Sequence, residues 1–215
     1  MKKEEEEGCT LTERRKTKKE QLEELLEEIK TKTTRKNVDL VLPLMRWVIR
    51  KIDLIVASDT FKNSVREAKK QKKPKPRPLL VSRGEIWQCE LGQNIGSEQN
   101  ESRPVLIIQN DINNKLSPNT IIAPLTSLVN RSNNDKPLTS EEIVEYRSKL
   151  RETEVLLLPE DARDDEKKQI AEPSVLMCQN IREINKERLE FRITHVDETK
   201  WEEIDKAIKS SLGLD

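Results

Sequence analysis

The residues best suited to chemistry stand at the ends of predicted strands. Arg103 opens one strand-like segment, Thr126 closes another, and Glu98 lies in the polar loop before Arg103. A guanidinium fits the oxygens of a phosphate group in a two-pronged arrangement, and a hydroxyl donates one hydrogen bond and accepts others. A carboxylate in the same place could take up a proton. These residue types suit the binding of an anionic group such as a phosphate.

The same residues have simpler interpretations when each is taken alone. Arg103 could form a surface salt bridge, Thr126 could be an ordinary strand-end hydroxyl, and Glu98 could accept hydrogen bonds that order its loop. His195 is the only histidine, so one chain cannot supply a pair of histidines for acid–base catalysis, and we expect it to pack near the final helix. No His, Cys and Asp residues have the spacing of metal ligands, and we predict no cofactor.

Three segments are predicted to position these residues as strands. Residues 83–91 alternate between two faces, and residues 105–108 form a continuous apolar run that Pro104 begins. Residues 120–127 form the third strand-like run. The loop between the first two contains Gly92 and Gly96, which can adopt backbone angles that other residues avoid.

The remaining C-terminal sequence predicts short strands and a last helix. Thr139 is a candidate cap for a helix that runs toward Arg151, and residues 161–169 form a charged turn or helix. The last helix starts at Asp197 or Thr199 and ends before Gly213. Further strands are predicted at residues 154–158, 173–178 and 189–196. Short strands followed by a helix favour a small, strongly bent β-barrel, which is an α+β fold.

The first 73 residues are predicted to be helical and basic, and residues 74–82 to be a linker rich in proline and lysine. The first helix covers residues 11–30 and has a narrow leucine-rich stripe, which suits either a solvated helix or a partner-binding or dimerising coiled-coil helix. Asn37 is a candidate cap for a second helix, and Asp59 or Thr60 for a third.

Charge divides the chain into two halves. Residues 1–82 have 22 Lys and Arg against 14 Asp and Glu, a net charge of +8, whereas residues 83–215 have 18 against 26, a net charge of −8. The strongly basic run at residues 62–78 is either a solvated linker or an arm that contacts the phosphates of a nucleic acid.

Cysteine usage and hydropathy indicate the compartment. The chain has three cysteines, none in a Cys-x-x-Cys pair, which is typical of a protein of the reducing cytoplasm. The N-terminus lacks the apolar core of a signal peptide, and the longest apolar region, residues 38–56, contains five charged residues. We therefore expect a cytoplasmic protein without a membrane partner.

Five motifs in order resemble the PemK/MazF family of toxin endoribonucleases. They are RGEIW at residues 83–87, GSEQ at 96–99, RPVLIIQND at 103–111, SPNTIIAPLTS at 117–127 and CQNIREI at 178–184. The resemblance covers roughly residues 83–215. It implies an SH3-like barrel with a C-terminal helix, preceded here by an α-helical region that the resemblance does not cover.

The resemblance also implies an activity and site residues. The activity is metal-independent cleavage of single-stranded RNA, through attack by the 2′-hydroxyl, by a homodimeric type II toxin that a cognate antitoxin neutralises. The arginine of the RP motif and the threonine that ends the third strand match Arg103 and Thr126, and Glu98 is the candidate base. The predicted RNA-binding residues are Ser97, Gln99, Asn110, Ser127, Gln179 and Arg182.

Two departures from the family pattern leave a second function open. Residues 100–102 are Asn-Glu-Ser where the family often has glycines, and the barrel segment is acidic although RNA is a polyanion. The alternative is a non-catalytic module on the same fold that binds a nucleic acid or a protein, such as gyrase in the case of CcdB-type toxins. The basic N-terminal arm could also compensate for the acidic barrel.

Overall fold

The computed structural model describes residues 17–130, 136–162, 170 and 172–214. The chain divides into two compact units, Met1–Arg46 and Trp47–Asp215, and the division falls inside a long helix. Each unit is described by itself below. The predicted domain boundary at residues 74–82 stays a prediction.

The first unit contains helix α1, Lys18–Lys32. Thr17 begins it with a capping box, in which the threonine hydroxyl accepts from the amide of Glu20 while the Glu20 carboxylate accepts from the amide of Thr17. The predicted start at residue 11 lies outside the described residues. The leucine-rich stripe of α1 is exposed within this unit.

Helix α2, Val38–Lys70, is one continuous helix where two were predicted. The candidate cap at Thr60 does not break it, because the Thr60 hydroxyl donates back to the carbonyl of Val56 at 2.8 Å, as helical threonines do. Pro43 lies just past the first turn and also leaves the helix unbroken.

The second unit contains an antiparallel sheet of seven strands in the order β6-β7-β3-β2-β1-β9, with β8 also paired to β3. A separate two-stranded sheet joins β4 to β5. The strands are β1 (Glu85–Glu90), β2 (Ser102–Ile107), β3 (Asn119–Ser127), β4 (Val129–Asn130), β5 (Lys136–Pro137), β6 (Glu154–Leu157), β7 (Ser174–Met177), β8 (Arg182–Asn185) and β9 (Leu189–His195).

The long strand β3 changes partners along its length. Its first half pairs with β8 and its last three residues pair with β7, while β2 pairs with residues 122–124 on the other side. The sheet therefore bends at β3. The strands and the C-terminal helix confirm the predicted α+β fold.

The bend gives the sheet a core on both faces, so β1 is buried on both sides, where its alternation predicted a strand buried on one. Ile86 and Cys89 lie on opposite faces, as the alternation predicts, and both are fully buried. Ile86 belongs to the core that helix α5 (Trp201–Leu212) covers, whereas Cys89 packs with Leu91 and Val105 on the opposite face. Two irregularities in the β1–β9 register accommodate this alternation.

Helices α4 (Ser140–Arg147) and α5 each confirm one predicted end signal, but α5 begins at Trp201 and not at Asp197 or Thr199. Helix α4 begins with a capping box at Thr139, and Gly213 ends α5 with a left-handed φ of 65°. A 3₁₀ turn that Asp197 caps precedes α5. A short helix, α3 (Asp111–Leu116), joins β2 to β3. Within the described residues, the structure contains no helix that is both long and apolar enough to cross a membrane.

The part of α2 that belongs to the second unit packs against the loop after β1 and against the start of β9. Trp47 lies against Gly92, and Arg188 stacks over the Trp47 ring with its guanidinium carbon 5.2 Å from the ring centre. Arg50 lies 3.8 Å from the carboxylate of Glu190. Residues 47–70 are thus part of the folded unit and not a free arm.

Lys186 ties the linker to the same unit. Its side chain is 3% exposed, and the ammonium donates to the carbonyls of Leu79, at 3.0 Å, and Asn114. Burial lowers the pKa of Lys186. Lys186 therefore holds three distant stretches of chain together.

Candidate active site

Arg103 and Thr126 lie just beyond the point where β2 and β3 separate. The last β2–β3 pair is Val105 with Pro124, and Arg103 and Thr126 each lie two residues further along their own strand. Residues two positions apart in a strand share a face, so both side chains are on the same face as Val105. On its other side Thr126 pairs with Val175 of β7. The strand order thus brings together two residues that are distant in sequence.

The loop before β2 holds the Arg103 guanidinium in place. Its Nε donates to the carbonyl of Asn100 at 2.9 Å, and its Nη1 donates to the side-chain oxygen of Gln99. A guanidinium has five N–H donors, so the Nη2 pair and one Nη1 hydrogen have no partner among the described residues. These three donors suit a phosphate group.

Met177 connects the two sides of the site. Its sulfur accepts a hydrogen bond from Gln99 Nε2 at 3.1 Å and another from Thr126 Oγ1 at 3.3 Å. Gln99 thus contacts Arg103 through its oxygen and Met177 through its nitrogen. Arg103, Gln99, Met177 and Thr126 form one connected group, which we call the Arg103 cluster.

Two opposing effects act on the pKa of the Arg103 guanidinium. Burial lowers the pKa of Arg103, and the nearby Glu101 carboxylate raises it. Arginine stays protonated at any physiological pH even so. The half-buried position therefore means that the charge acts with less screening than on an open surface.

Backbone bonds close the loop next to the Arg103 cluster. The amide of Glu101 donates to the carbonyl of Gly92 at 2.7 Å, and the amide of Leu91 donates to the carbonyl of Glu101 at 2.9 Å. Glu101 has a left-handed φ of 63°, a conformation that glycine adopts more readily. Within the loop, Asn94 bonds to Asn100 and to the backbone of Gln99.

Glu98 and Ser97 are exposed at the outer part of this loop. The carboxylate of Glu98 makes no hydrogen bond or ion pair with any residue that the structure describes. The loop is ordered by Asn94 and Asn100 and not by Glu98. Of the predicted catalytic residues, the structure brings together Arg103 and Thr126 and leaves Glu98 outside the cluster.

Gln99, Gln179 and Arg182 were predicted to bind RNA. Gln99 belongs to the cluster, and Gln179 is exposed two positions after Met177, where its amide donates to Glu154 at 3.1 Å. Arg182 lies on β8 opposite Ile122, and its charge, like that of Arg188, lowers the pKa of Cys89 although burial raises that pKa to about 12. Because Arg182 pairs with Ile122 and Ile122 with Ile107, which shares a face of β2 with Arg103, Arg182 lies on the same side of the sheet as Arg103.

The structure places Asn110 and Ser127 away from the Arg103 cluster. Asn110 caps helix α3 by accepting from the amide of Asn113 at 2.9 Å, beyond the opposite end of β2. Ser127 follows Thr126 and points to the other face of β3, where it lines an apolar groove with Pro104 and Phe191. Neither side chain joins the cluster.

Sequence reasoning missed two contributors to the site. Met177 directly precedes the CQNIREI motif and lies in the strand predicted at residues 173–178, so its position next to that motif was the available signal. Trp47 had no signal, because its contact with the root of the loop at Gly92 depends on how α2 packs.

His195 has a structural position. Its ring nitrogens lie 2.7 Å from the carbonyl of Val196 and 3.0 Å from that of Arg83, and a Cβ on Gly84 would fall 2.5 Å from the ring. Among the residues that the structure describes, no three His, Cys, Asp or Glu side chains form a group that could hold a metal ion.

Comparison with known proteins agrees with the motifs. Residues 82–212 match the family described as the PemK-like, MazF-like toxin of type II toxin-antitoxin systems. Endoribonuclease EndoA of Bacillus subtilis (strain 168) is 33% identical over 137 residues, which cover 63% of this chain and 97% of that protein.

Solved structures of the same kind of protein also match. MazF from Deinococcus radiodurans has a TM-score of 0.45 at 17% identity and covers 63% of this chain and 99% of that one. A mycobacterial endoribonuclease in complex with its cognate antitoxin has a TM-score of 0.43 at 19% identity, over 63% of this chain and 97% of that one.

Proposed function

Because the chain belongs to the PemK-like, MazF-like family of type II toxins, we propose that it is an endoribonuclease that cleaves single-stranded RNA without a metal ion. The family and the endoribonuclease relative support an RNA-cleaving toxin. The observation that carries the proposal is the connection of Arg103 to Thr126 through Gln99 and Met177, with three guanidinium donors left for a phosphate.

The RNA supplies the nucleophile. The 2′-oxygen forms a bond to phosphorus, the bond between phosphorus and the 5′-oxygen breaks, and the products carry a 2′,3′-cyclic phosphate and a 5′-hydroxyl. Negative charge builds up on the phosphate oxygens during this step. Arg103 would bind those oxygens through Nη1 and Nη2, and fixed donors of this kind stabilise a transition state without reorganising. Arg103 can also donate a proton to the departing 5′-oxygen, and it then regains one from solvent.

Thr126 would bind the scissile phosphate from the other strand. Its hydroxyl now donates to the Met177 sulfur, which is a weak acceptor. A phosphate oxygen is a stronger acceptor and would take over that hydrogen bond. Met177 thus holds the hydroxyl in position until the substrate arrives.

Glu98 remains the proposed base for the 2′-hydroxyl. Its exposed carboxylate makes no hydrogen bond to a described residue, so no contact of that kind has to break when the loop moves. The movement would bring Glu98 toward the 2′-oxygen as RNA occupies the cluster. Gln99 would stay bonded to Arg103 and Met177, while Ser97 and Gln179 would face the unstacked bases on either side, since hydroxyl and amide groups suit the reading of base edges.

The proposed partners follow from the family. We expect a protein antitoxin that covers the Arg103 cluster, since the mycobacterial relative was solved in complex with its cognate antitoxin. We also expect a homodimer in the cytoplasm. The structure offers no observation that favours the gyrase-binding alternative.

The test is a cleavage assay on a long single-stranded RNA in excess EDTA, with the cut ends mapped. We expect cuts at a repeated short word and a loss of at least ~100-fold in rate for Arg103→Ala, as for removal of a key electrostatic donor. Arg147→Ala, which removes an exposed arginine of helix α4, is the matched control and should cut like the wild type.

Two results would contradict the proposal. The first is a folded wild-type protein that cuts no RNA, which would favour a binding module and make gyrase the first partner to test. The second is unchanged cleavage by Arg103→Ala.

A further inference from the structure

A groove lies between the C-terminal half of α2, the linker and the connection from α3 to β3. Its volume is about 450 Å³, within the range of ligand-binding clefts. Phe61 of α2, together with Leu116 and Pro118 of the connection, forms apolar parts of its wall. Every lining residue belongs to the second unit, so the groove is built into the fold that contains the Arg103 cluster.

Three cations line this groove and no acidic residue does. They are Lys62, Arg66 and Lys75, and all three are exposed. Lys62 lies 3.5 Å from Asp59 on the same helix, and Arg66 donates to the Asn63 side chain at 3.4 Å. Exposed pairs of this kind contribute little stabilising free energy, so a ligand can replace the partner of Lys62 or Arg66 at small cost. Lys75 makes no ion pair with any residue in the described part of the chain.

The charges around the groove are mostly positive. Residues 62–78 contain eight Lys and Arg and a single acidic residue, Glu67, which pairs with Lys70 at 2.8 Å. The barrel segment, by contrast, has a net charge of −8. A polyanion that approaches this protein is therefore attracted by the groove and its surroundings more than by the barrel.

The groove and the Arg103 cluster lie at opposite ends of one strand. Pro118, which lines the groove, precedes β3, and Thr126 lies near its end. Eight residues of extended strand span at most roughly 26 Å at ~3.3 Å per residue, because β3 bends. That length corresponds to about eight nucleotides of a stacked strand at ~3.4 Å each. An RNA bound at the cluster can thus reach the groove.

We propose that this groove is a second RNA-binding site, which holds a stretch of the strand outside the cleaved word. Lys62, Arg66 and Lys75 bind backbone phosphates, and the Phe61 ring stacks on a base. Cations that follow the backbone beside an aromatic ring are the arrangement by which proteins bind single strands without reading sequence. The proposal rests on the proposed function, because it takes RNA as the substrate. It explains how an acidic barrel acquires affinity for RNA.

The first measurement is the binding of a 30-nucleotide RNA that is 2′-O-methylated throughout and so cannot be cleaved through its 2′-oxygens. The test variant is Lys62→Gln/Arg66→Gln/Lys75→Gln. Log affinity falls with log salt, and each lost phosphate contact makes this fall less steep by ~0.7 for a single strand. We therefore expect a slope that is shallower by about 2 and binding that is at least ~10-fold weaker at low salt.

Two further variants make the measurement specific. Arg147→Gln/Lys206→Gln/Lys209→Gln removes three exposed cations from α4 and α5, and we expect it to leave the slope nearly unchanged. Phe61→Leu keeps an apolar residue in the wall but removes the ring, and should weaken binding about 5-fold or more at any salt concentration.

Cleavage separates this proposal from the proposed function. We expect the groove variant to cut a long RNA with a raised KM and an unchanged kcat, and to cut a short RNA that contains only the recognised word like the wild type. If the wild type cuts RNA while the groove and control variants have the same slopes, the groove proposal is wrong and the endoribonuclease stands. If the wild type binds through the groove but cuts nothing, the proposed function is wrong and the groove stands.

Discussion

Thr126 donates a hydrogen bond to the sulfur of Met177 over 3.3 Å. The two residues lie on neighbouring strands, β3 and β7, and are 51 positions apart in the sequence. The sulfur has no net charge and is a weak acceptor, so it orients the hydroxyl without holding it against a phosphate.

Met177→Leu tests this role, because leucine fills a similar volume but accepts no hydrogen bond. We expect kcat for RNA cleavage to fall about 2- to 10-fold with little change in KM, which corresponds to a hydrogen bond of ~0.5–1.5 kcal/mol. Met45→Leu on helix α2 is the matched control. An unchanged kcat would mean that Met177 only fills space.

Glu101 is the second position to test, since its charge lies near Arg103 and its φ is left-handed at 63°. Glu101→Gln removes an anion beside the proposed phosphate site, so we expect a lower KM for RNA at low salt. The difference should vanish at high salt, where surface charges are screened. Glu101→Gly removes the same charge and also the conformational strain, and should lower KM at least as far. A KM that rises in both variants would contradict this view of Glu101.

Gly92 and Gly96 form a matched pair in the same loop. Both have a positive φ, 88° and 64°, but a Cβ on Gly92 would fall 2.4 Å from the Trp47 ring, whereas nothing lies within 4 Å of one on Gly96. We expect Gly96→Ala to cost ~1 kcal/mol of unfolding free energy, for the left-handed backbone alone. Gly92→Ala should cost ~1–3 kcal/mol more, for the overpacking.

Denaturant unfolding measures both costs, and a double-mutant cycle with Trp47→Ala identifies the contact. In the Trp47→Ala background the extra cost of Gly92→Ala should disappear. If it persists, the helix does not pack against the loop root in solution.

The buried thiols predict how stability depends on pH. Burial raises the pKa of both Cys89 and Cys178 from 9.0 to about 12. An unfolded chain loses these protons near pH 9, but the folded chain keeps them up to about pH 12, so the folded state binds more protons between these values. Stability is therefore full below pH 9 and falls as the pH rises toward 12, by up to ~1.4 kcal/mol per pH unit for each thiol.

The comparison is between the wild type and Cys89→Ala/Cys178→Ala, unfolded in denaturant at pH 8, 9, 10 and 11. The double variant is expected to be less stable at pH 8, because the substitutions leave small cavities, but to lose less stability as the pH rises. Parallel curves for the two proteins would show that the thiols do not titrate differently on unfolding.

The sequence allowed the strands to be predicted, because they depend on local patterns, and the family resemblance singled out Arg103 and Thr126 as site residues. Alternating apolar residues define the strands, and the motif order places one residue at the start of β2 and the other near the end of β3. The contacts of Met177 and Trp47 could not be predicted in this way. They join residues that are distant in sequence, and no local pattern records how a bent sheet or a docked helix packs.

The error in helix α2 has a similar cause. Asp59 and Thr60 have the residue types of a helix cap, and only the hydrogen bond from the Thr60 hydroxyl to Val56 shows that the helix continues through them. Short polar side chains favour caps and also bond back within helices, so the local sequence supports both outcomes.

The buried ammonium of Lys186 also has a consequence for protein synthesis. It connects residues 79, 114 and 186, so the linker acquires its anchor only after most of the chain has left the ribosome. The docking surface for α2 at Arg188 emerges equally late. In a nascent chain that still lacks these residues, α2 has no surface to pack against. The order of translation therefore delays the completion of the folded domain.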